Sequence, residues 1–144
     1  MKDLLYLKDE QIKEFIQLLY YAYRETFSDP KDILSKKFFG PAHLRALNLI
    51  ERNQGISLGE LIFKLKITKQ SLNRILRDLI KIDVITFKKD SKDTRVKHVY
   101  LNEKGEKIFN EIFSVQKKRI YNALLNSSAK EVVNFNNVLK KLIN

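Results

Sequence analysis

The chain contains no cysteine. That absence excludes disulfides, thiolate metal ligands and thiol-based redox sensing together. Histidine is almost as scarce, with only His43 and His98 present, too few for most zinc chemistry and little for acid–base work. The four glycines form no phosphate-cradling loop. No close carboxylate pair, metal-ligand spacing or Ser/His/Asp arrangement is present either, so neither an enzyme nor a cofactor is expected. Apolar runs extend only a few residues, far short of a membrane span. The opening MKDLLYLKDE interrupts its apolar residues with charges and lacks a small-residue cleavage site, so the expectation is no signal peptide and a cytoplasmic protein.

What is present is basic charge, unevenly spread. Of the net +11, residues 1–40 carry none, residues 41–101 carry +7 and residues 102–144 carry +4. A generally Lys-rich composition would account for some of this, but not for its concentration in one segment, which points to nucleic acid as partner. At 144 residues and 44% apolar content, the length and composition suit one domain with one good core.

Along residues 9–27, Ile12, Phe15, Ile16, Leu19, Tyr20 and Tyr23 recur at helical spacing, and Asp29-Pro30 breaks the pattern. Gly40-Pro41 starts a helix over about 42–53 that uses Leu44, Leu47 and Ile50 and stops at Asn53-Gln54-Gly55. Ser57-Leu58-Gly59-Glu60 is a capping box opening a short helix, and Thr68 caps the next, ITKQSLNRILRDLIK over 67–81. Residues 84–88 and 95–101 are rich in β-branched and aromatic residues, so the polar stretch between them reads as a hairpin loop. Asn102 caps a long helix to about 126, striped by Ile108, Phe109, Ile112, Phe113, Ile120 and Leu124. A second capping box, Ser128 to Glu131, starts a last helix with Val132, Phe135, Val138, Leu139 and Leu142.

The helix over 67–81 carries the chemistry. At about 100° per residue, Leu72, Ile75, Leu76 and Leu79 share one face while Gln70, Asn73, Arg74 and Arg77 fall opposite, with Asp78 on the flank. Any surface helix has a polar side. This one has no carboxylate at its centre, and its side chains match bases: Arg pairs bidentately with guanine, Asn or Gln with adenine. Lys69 and Ser71, on the flanks, suit phosphates, which position without specifying. In the hairpin, Lys88, Lys89, Lys92, Arg95 and Lys97 surround Asp90 and Asp93. Asp93 is two residues before Arg95 and could hold its guanidinium in one orientation; the competing reading is ordinary Asp/Ser turn chemistry.

On these residues the run from Ser57 to Gly105 resembles the MarR family of bacterial transcription regulators. The features are ITKQSLNRILRDLI, the Asp93-Thr94-Arg95 (Asp-x-Arg) wing signature, and Leu101-Asn102-Glu103-Lys104-Gly105 where the family usually has Leu-Thr-x-x-Gly. They cover about a third of the chain. The flanking helices match only in order and length. The resemblance implies a mainly α fold with a small β-hairpin wing: a winged helix-turn-helix over 41–102, flanked by dimerisation helices at 1–40 and 103–144. It implies a triangular homodimer on a pseudo-palindromic operator, with Thr68, Lys69, Gln70, Ser71, Asn73, Arg74 and Arg77 at the major groove. Lys92 and Arg95 would go to the minor groove or its phosphates, and Asp93 would brace Arg95. Lys92 stands where a wing-tip Arg is common and brings a point charge without a planar fork. Asp83 stands where a Gly often precedes the first wing strand, and Asp tolerates the left-handed region. Many relatives bind a small aromatic or acidic effector between the dimer helices and the winged helix. Tyr20, Tyr23, Arg24, Phe38, Phe39 and His43 are candidates for such a pocket, against the alternative that aromatics at helical spacing are core.

The expected function is a sequence-specific DNA-binding regulator, a repressor acting as a homodimer. A non-specific architectural DNA binder and a winged helix serving protein–protein contact are the alternatives. The terminal apolar stripes exceed what a small winged helix needs, which favours mutual burial between two copies over an internal core.

Overall fold

The computed structural model describes residues 4–37 and 39–143. Phe38, one of the candidate pocket residues, lies outside them. After a short 3-10 turn at Leu5–Leu7 come helices α1 (Asp9–Ser28), α2 (Lys31–Lys36) and α3 (Pro41–Arg52). Strand β1 (Ile56–Ser57) precedes α4 (Leu58–Leu65) and α5 (Lys69–Lys81). Strands β2 (Ile85–Lys89) and β3 (Lys97–Leu101) lead into α6 (Glu103–Leu125) and α7 (Ala129–Ile143). The mainly α winged helix expected from the sequence is the fold observed.

Side-chain caps begin the helices where the sequence predicts. Ser57 Oγ accepts the Glu60 amide at 3.1 Å and donates to the Glu60 carboxylate, also at 3.1 Å. Asn102 Oδ1 accepts the Gly105 amide at 2.8 Å. Ser128 and Glu131 close the second box, the Glu131 carboxyl being held below its usual range by the Ser128 amide and hydroxyl. Each such cap supplies one of the first-turn amides with a partner that the helix itself cannot provide.

Two elements are additions to the sequence reading. Helix α2 is six residues long and stands on one buried anchor, Leu34, too short to carry a readable period. Strand β1 is two residues long, and tertiary contacts create it: Gly55, at φ +89°, donates its amide to Val99 O at 2.9 Å, which sets Ile56 opposite Val99 and Ser57 opposite His98. The sheet order is β1-β3-β2, all antiparallel. The hairpin strand expected from residue 95 begins at Lys97, because Val96 still accepts the Asp90 amide as part of the loop closure.

Register fixes what the hairpin buries. Ile85 pairs with Leu101 and Phe87 with Val99 on the inner face, so the outer face shows Thr86, Lys88, His98 and Tyr100. The inner face joins Leu44, Leu47 and Ile50 of α3, Leu61 of α4, the four leucine and isoleucine residues of α5, and Ile108, Phe109 and Ile112 of α6. Fully burying each such side chain contributes about 1.5–3 kcal/mol relative to exposure. Asp83 adopts the left-handed conformation at φ +58°, and Asn102 Nδ2 donates to its carbonyl at 2.8 Å. The tight entry to β2 is thereby tied to the start of α6.

The outer helices differ. No residue of α1 and no described residue of α7 is buried. The distal half of α6 leaves Ile120, Tyr121, Leu124 and Leu125 exposed.

Candidate nucleic-acid interface

Helix α5 begins at Thr68, whose Oγ1 accepts the Ser71 amide at 3.1 Å and whose hydroxyl donates to Ser71 Oγ at 3.0 Å. Leu72, Ile75, Leu76 and Leu79 are buried, which turns the opposite face outward. Thr68, Lys69, Gln70, Ser71, Asn73, Arg74 and Arg77 are all exposed. Among the described residues, the side chains of Gln70, Asn73, Arg74 and Arg77 make no hydrogen bond or ion pair, so their donors and acceptors face solvent. The flanking Asp78 does not spoil this surface, because its Oδ2 accepts from His43 Nε2 at 2.8 Å and is drawn toward α3.

The wing is built by two aspartates with different tasks. Asp90 Oδ2 accepts the amides of Lys92 and Asp93 at 3.0 and 2.9 Å, closing the loop tip. Asp93 Oδ1 accepts both the Arg95 amide and Arg95 Nε at 3.0 Å, while its Oδ2 accepts Nη2 at 3.1 Å. The sequence left turn chemistry and bracing as competing roles for Asp93; the geometry combines them. The Arg95 guanidinium holds the Asp93 carboxyl below its usual range, yet the Arg95 side chain remains 89% exposed. An oriented cation therefore stands clear of the surface, and Lys92 is exposed on the same loop. Lys88 Nζ lies 4.8 Å from the Tyr100 ring centre, a cation–π contact that sequence spacing did not reveal. The period-2 alternation places both residues on one face, so it held the signal.

The five described candidate pocket residues fall into separate contacts. Tyr23 Oη accepts from Arg45 Nη1 at 2.8 Å. Arg24 pairs with Glu25 and lies over the Tyr21 and Tyr20 rings, at 4.8 and 5.9 Å. Phe39 is buried and stacks on His43, ring centres 4.7 Å apart. The structure thus joins Tyr20 with Arg24 and Phe39 with His43. A cavity of about 620 Å³ lies elsewhere, between α1, α3 and α6, lined in part by Phe27, Asn48, Arg52, Phe113, Gln116 and Tyr121. None of those five described residues lines it.

Comparison with known proteins agrees with this geometry. The profile of the MarR family matches residues 39–95. The chain is 36% identical over 140 residues to the HTH-type transcriptional regulator PetP of Rhodobacter capsulatus, covering 97% of this chain and 84% of that one. Its fold is similar to that of a MarR family transcriptional regulator from Silicibacter pomeroyi, at TM-score 0.78 and 16% identity over 99% of this chain and 94% of that one. It is also similar to a MepR mutant of S. aureus bound to an oligodeoxyribonucleotide, at TM-score 0.60 and 16% identity over 91% of this chain and 94% of that one.

Proposed function

The chain belongs to the MarR family of DNA-binding transcriptional regulators, and from that premise we propose that it is a repressor that holds a pseudo-palindromic operator as a homodimer. Residues 41–102 form the reading unit, with α5 in the major groove and the wing on the adjacent minor groove or its phosphates. The observation that carries the reading is the sorting of α5: its apolar side chains are buried, and Gln70, Asn73, Arg74 and Arg77 face outward with no partner among the described residues. Residues 1–40 and 103–144 supply the dimer. The exposed apolar side chains of α1, distal α6 and α7 support that reading, since patches this extensive are rarely left in water.

Footprinting of the protein on genomic DNA tests it. Protected sites should contain two half-sites related by a dyad, with centres about 34–36 Å apart or a multiple of that. Protection without sequence preference, combined with a steep salt dependence, would replace it with non-specific architectural binding. A reporter driven by a protected promoter should rise when the protein is absent; a fall would make it an activator.

The cavity between α1, α3 and α6 suits a small aromatic or acidic effector: Phe27, Phe109, Phe113 and Tyr121 offer ring surfaces, and Arg52 and Lys117 offer positive charge. A benzoate titration followed by intrinsic tyrosine fluorescence should saturate and should weaken with Arg52→Ala. A linear, variant-independent response would remove this effector class.

A further inference from the structure

His98 sits in β3 with Ser57 of β1 on one side and Lys88 of β2 on the other. Both of its ring nitrogens face oxygen: Nδ1 is 2.8 Å from the Gly55 carbonyl and Nε2 is 2.9 Å from Asp90 Oδ1. A carbonyl oxygen can only accept. Asp90 also acts as an acceptor. Its other oxygen already takes the amides of Lys92 and Asp93, and its carboxyl is lowered to about 2, chiefly by His98 and then by those amides. A neutral imidazole carries a single N–H and satisfies one of these two partners, whereas an imidazolium satisfies both.

We propose that His98 is a positioning residue of the wing, acting as an imidazolium that ties the Gly55 turn to the Asp90 loop, so that the hold of the wing on DNA depends on pH. The inference rests on the DNA-contacting role proposed above for the wing. Asp90 is the joint of this device, because one carboxylate both receives His98 and closes the loop that presents Lys92, Asp93 and Arg95. If the His98 contact is lost, the loop keeps its turn and its Asp90–Val96 closure but loses its tie to the Gly55 turn.

The charged neighbours favour the cation. Glu60 on α4, whose carboxylate accepts the Ser57 hydroxyl, adds attraction from that side. Lys88 is the cross-strand neighbour and would oppose it, but its ammonium is drawn over the Tyr100 ring. Lys97 lies over Phe87 on the other face of the sheet, 6.0 Å from the ring centre. The His98 pKa is accordingly raised above 6.5, first by Asp90 and then by the Gly55 carbonyl. A raised value means that the anchor is complete below pH 6.5 and is lost as pH rises through the folded-state value. Phosphates, lysines and arginines keep their charge across that window.

Two measurements test the proposal on the full chain. Nitrogen-15 NMR of the histidine ring should show both His98 nitrogens protonated at pH 6, with a midpoint above 6.5, and the Lys92 and Asp93 amides should shift with that same midpoint. Fluorescence anisotropy on one duplex at constant salt should show affinity falling between pH 6 and 9. The fall should be roughly five-fold greater for the parent than for His98→Gln, the equivalent of one hydrogen bond's net contribution. His98→Arg, permanently cationic, should bind well at pH 9 with a flattened profile. A His98 midpoint at or below 6.5, or superimposable profiles for parent and His98→Gln, overturns the proposal. Lys92→Ala and Arg95→Ala separate the two levels. If they bind like the parent, the wing reading fails and this inference fails with it. If they bind weakly while the profiles superimpose, only the positioning role of His98 fails.

Discussion

His43 Nε2 donates to Asp78 Oδ2 at 2.8 Å, joining the first turn of α3 to α5 across 35 residues of sequence. The other ring nitrogen, Nδ1, accepts the Gly40 amide at 2.9 Å, so one imidazole caps α3 and tethers α5. A double-mutant cycle with His43→Ala and Asp78→Ala, read by urea denaturation, should give a coupling of about 0.2–1 kcal/mol, since Asp78 is partly exposed. Both single variants should also weaken operator binding more than they weaken binding to scrambled DNA. Zero coupling would reduce the contact to a bystander.

Arg74→Ala and Arg77→Ala should each weaken operator binding by about 1–3 kcal/mol if the lost contact is to a base. Titrating both against operator and scrambled duplexes separates specific from general loss. Unchanged operator affinity in both variants would remove α5 from the recognition role.

Asp93→Ala makes the protein more basic, so charge counting alone expects tighter binding. The geometry expects the reverse, because Arg95 loses the two carboxylate oxygens that fix its plane. Operator affinity should fall several-fold at physiological salt, and Arg95→Ala should fall with a shallower salt slope, by about one unit for a lost phosphate contact. A tighter-binding Asp93→Ala would make Asp93 a turn residue only.

Phe135→Asp probes assembly. Phe135 is 51% exposed on the single chain, so a charge there should leave the fold of one subunit intact and disrupt the proposed apolar dimer interface. Sedimentation equilibrium should give about twice the 17.0 kDa chain mass for the parent and the single mass for the variant. A DNA-binding parent monomer would overturn the homodimer.

Gly105→Ala should be among the most damaging single-methyl changes in the chain. A Cβ at this position would lie 2.1 Å from the Val84 carbonyl oxygen, which also accepts the Asn102 amide, so the backbones must separate. A loss of roughly 1–3 kcal/mol by thermal or urea denaturation is expected, the range for overpacking. An unperturbed variant would show that α6 can shift freely at its start.

Much of this was legible in the sequence, for stated physical reasons. The caps at Ser57, Thr68, Asn102 and Ser128 were readable because a cap is a local bond between residues three apart. The two faces of α5 were readable because burial follows the helical period over 13 residues. The Asp93–Arg95 contact was open to the sequence because only one residue separates the partners. What the sequence did not yield depends on distant backbone. His98 meets Gly55 across 43 residues, β1 exists only because Val99 faces it, and Gly105 is required by a carbonyl 21 positions earlier. The cavity escaped for a related reason: three separate helices line it, and no single stripe of aromatics marks it out.

Helix α6 combines two environments on one rigid rod. Its first half, through Gln116, is embedded in the core that carries α5, with the Gln116 amide donating to Thr26 O at 3.2 Å. Its far end emerges among exposed apolar side chains. A 23-residue helix is about 34 Å long at 1.5 Å per residue. In the proposed homodimer it would be a lever arm, on which a 10° swing about the far end would displace α5 by about 6 Å, near the width of a minor groove. Spin-label distances between the two copies of α5 would register such a swing directly. In that proposed dimer, small adjustments between α6 and its neighbours, far from any nucleotide, would thus change the separation of the two α5 helices.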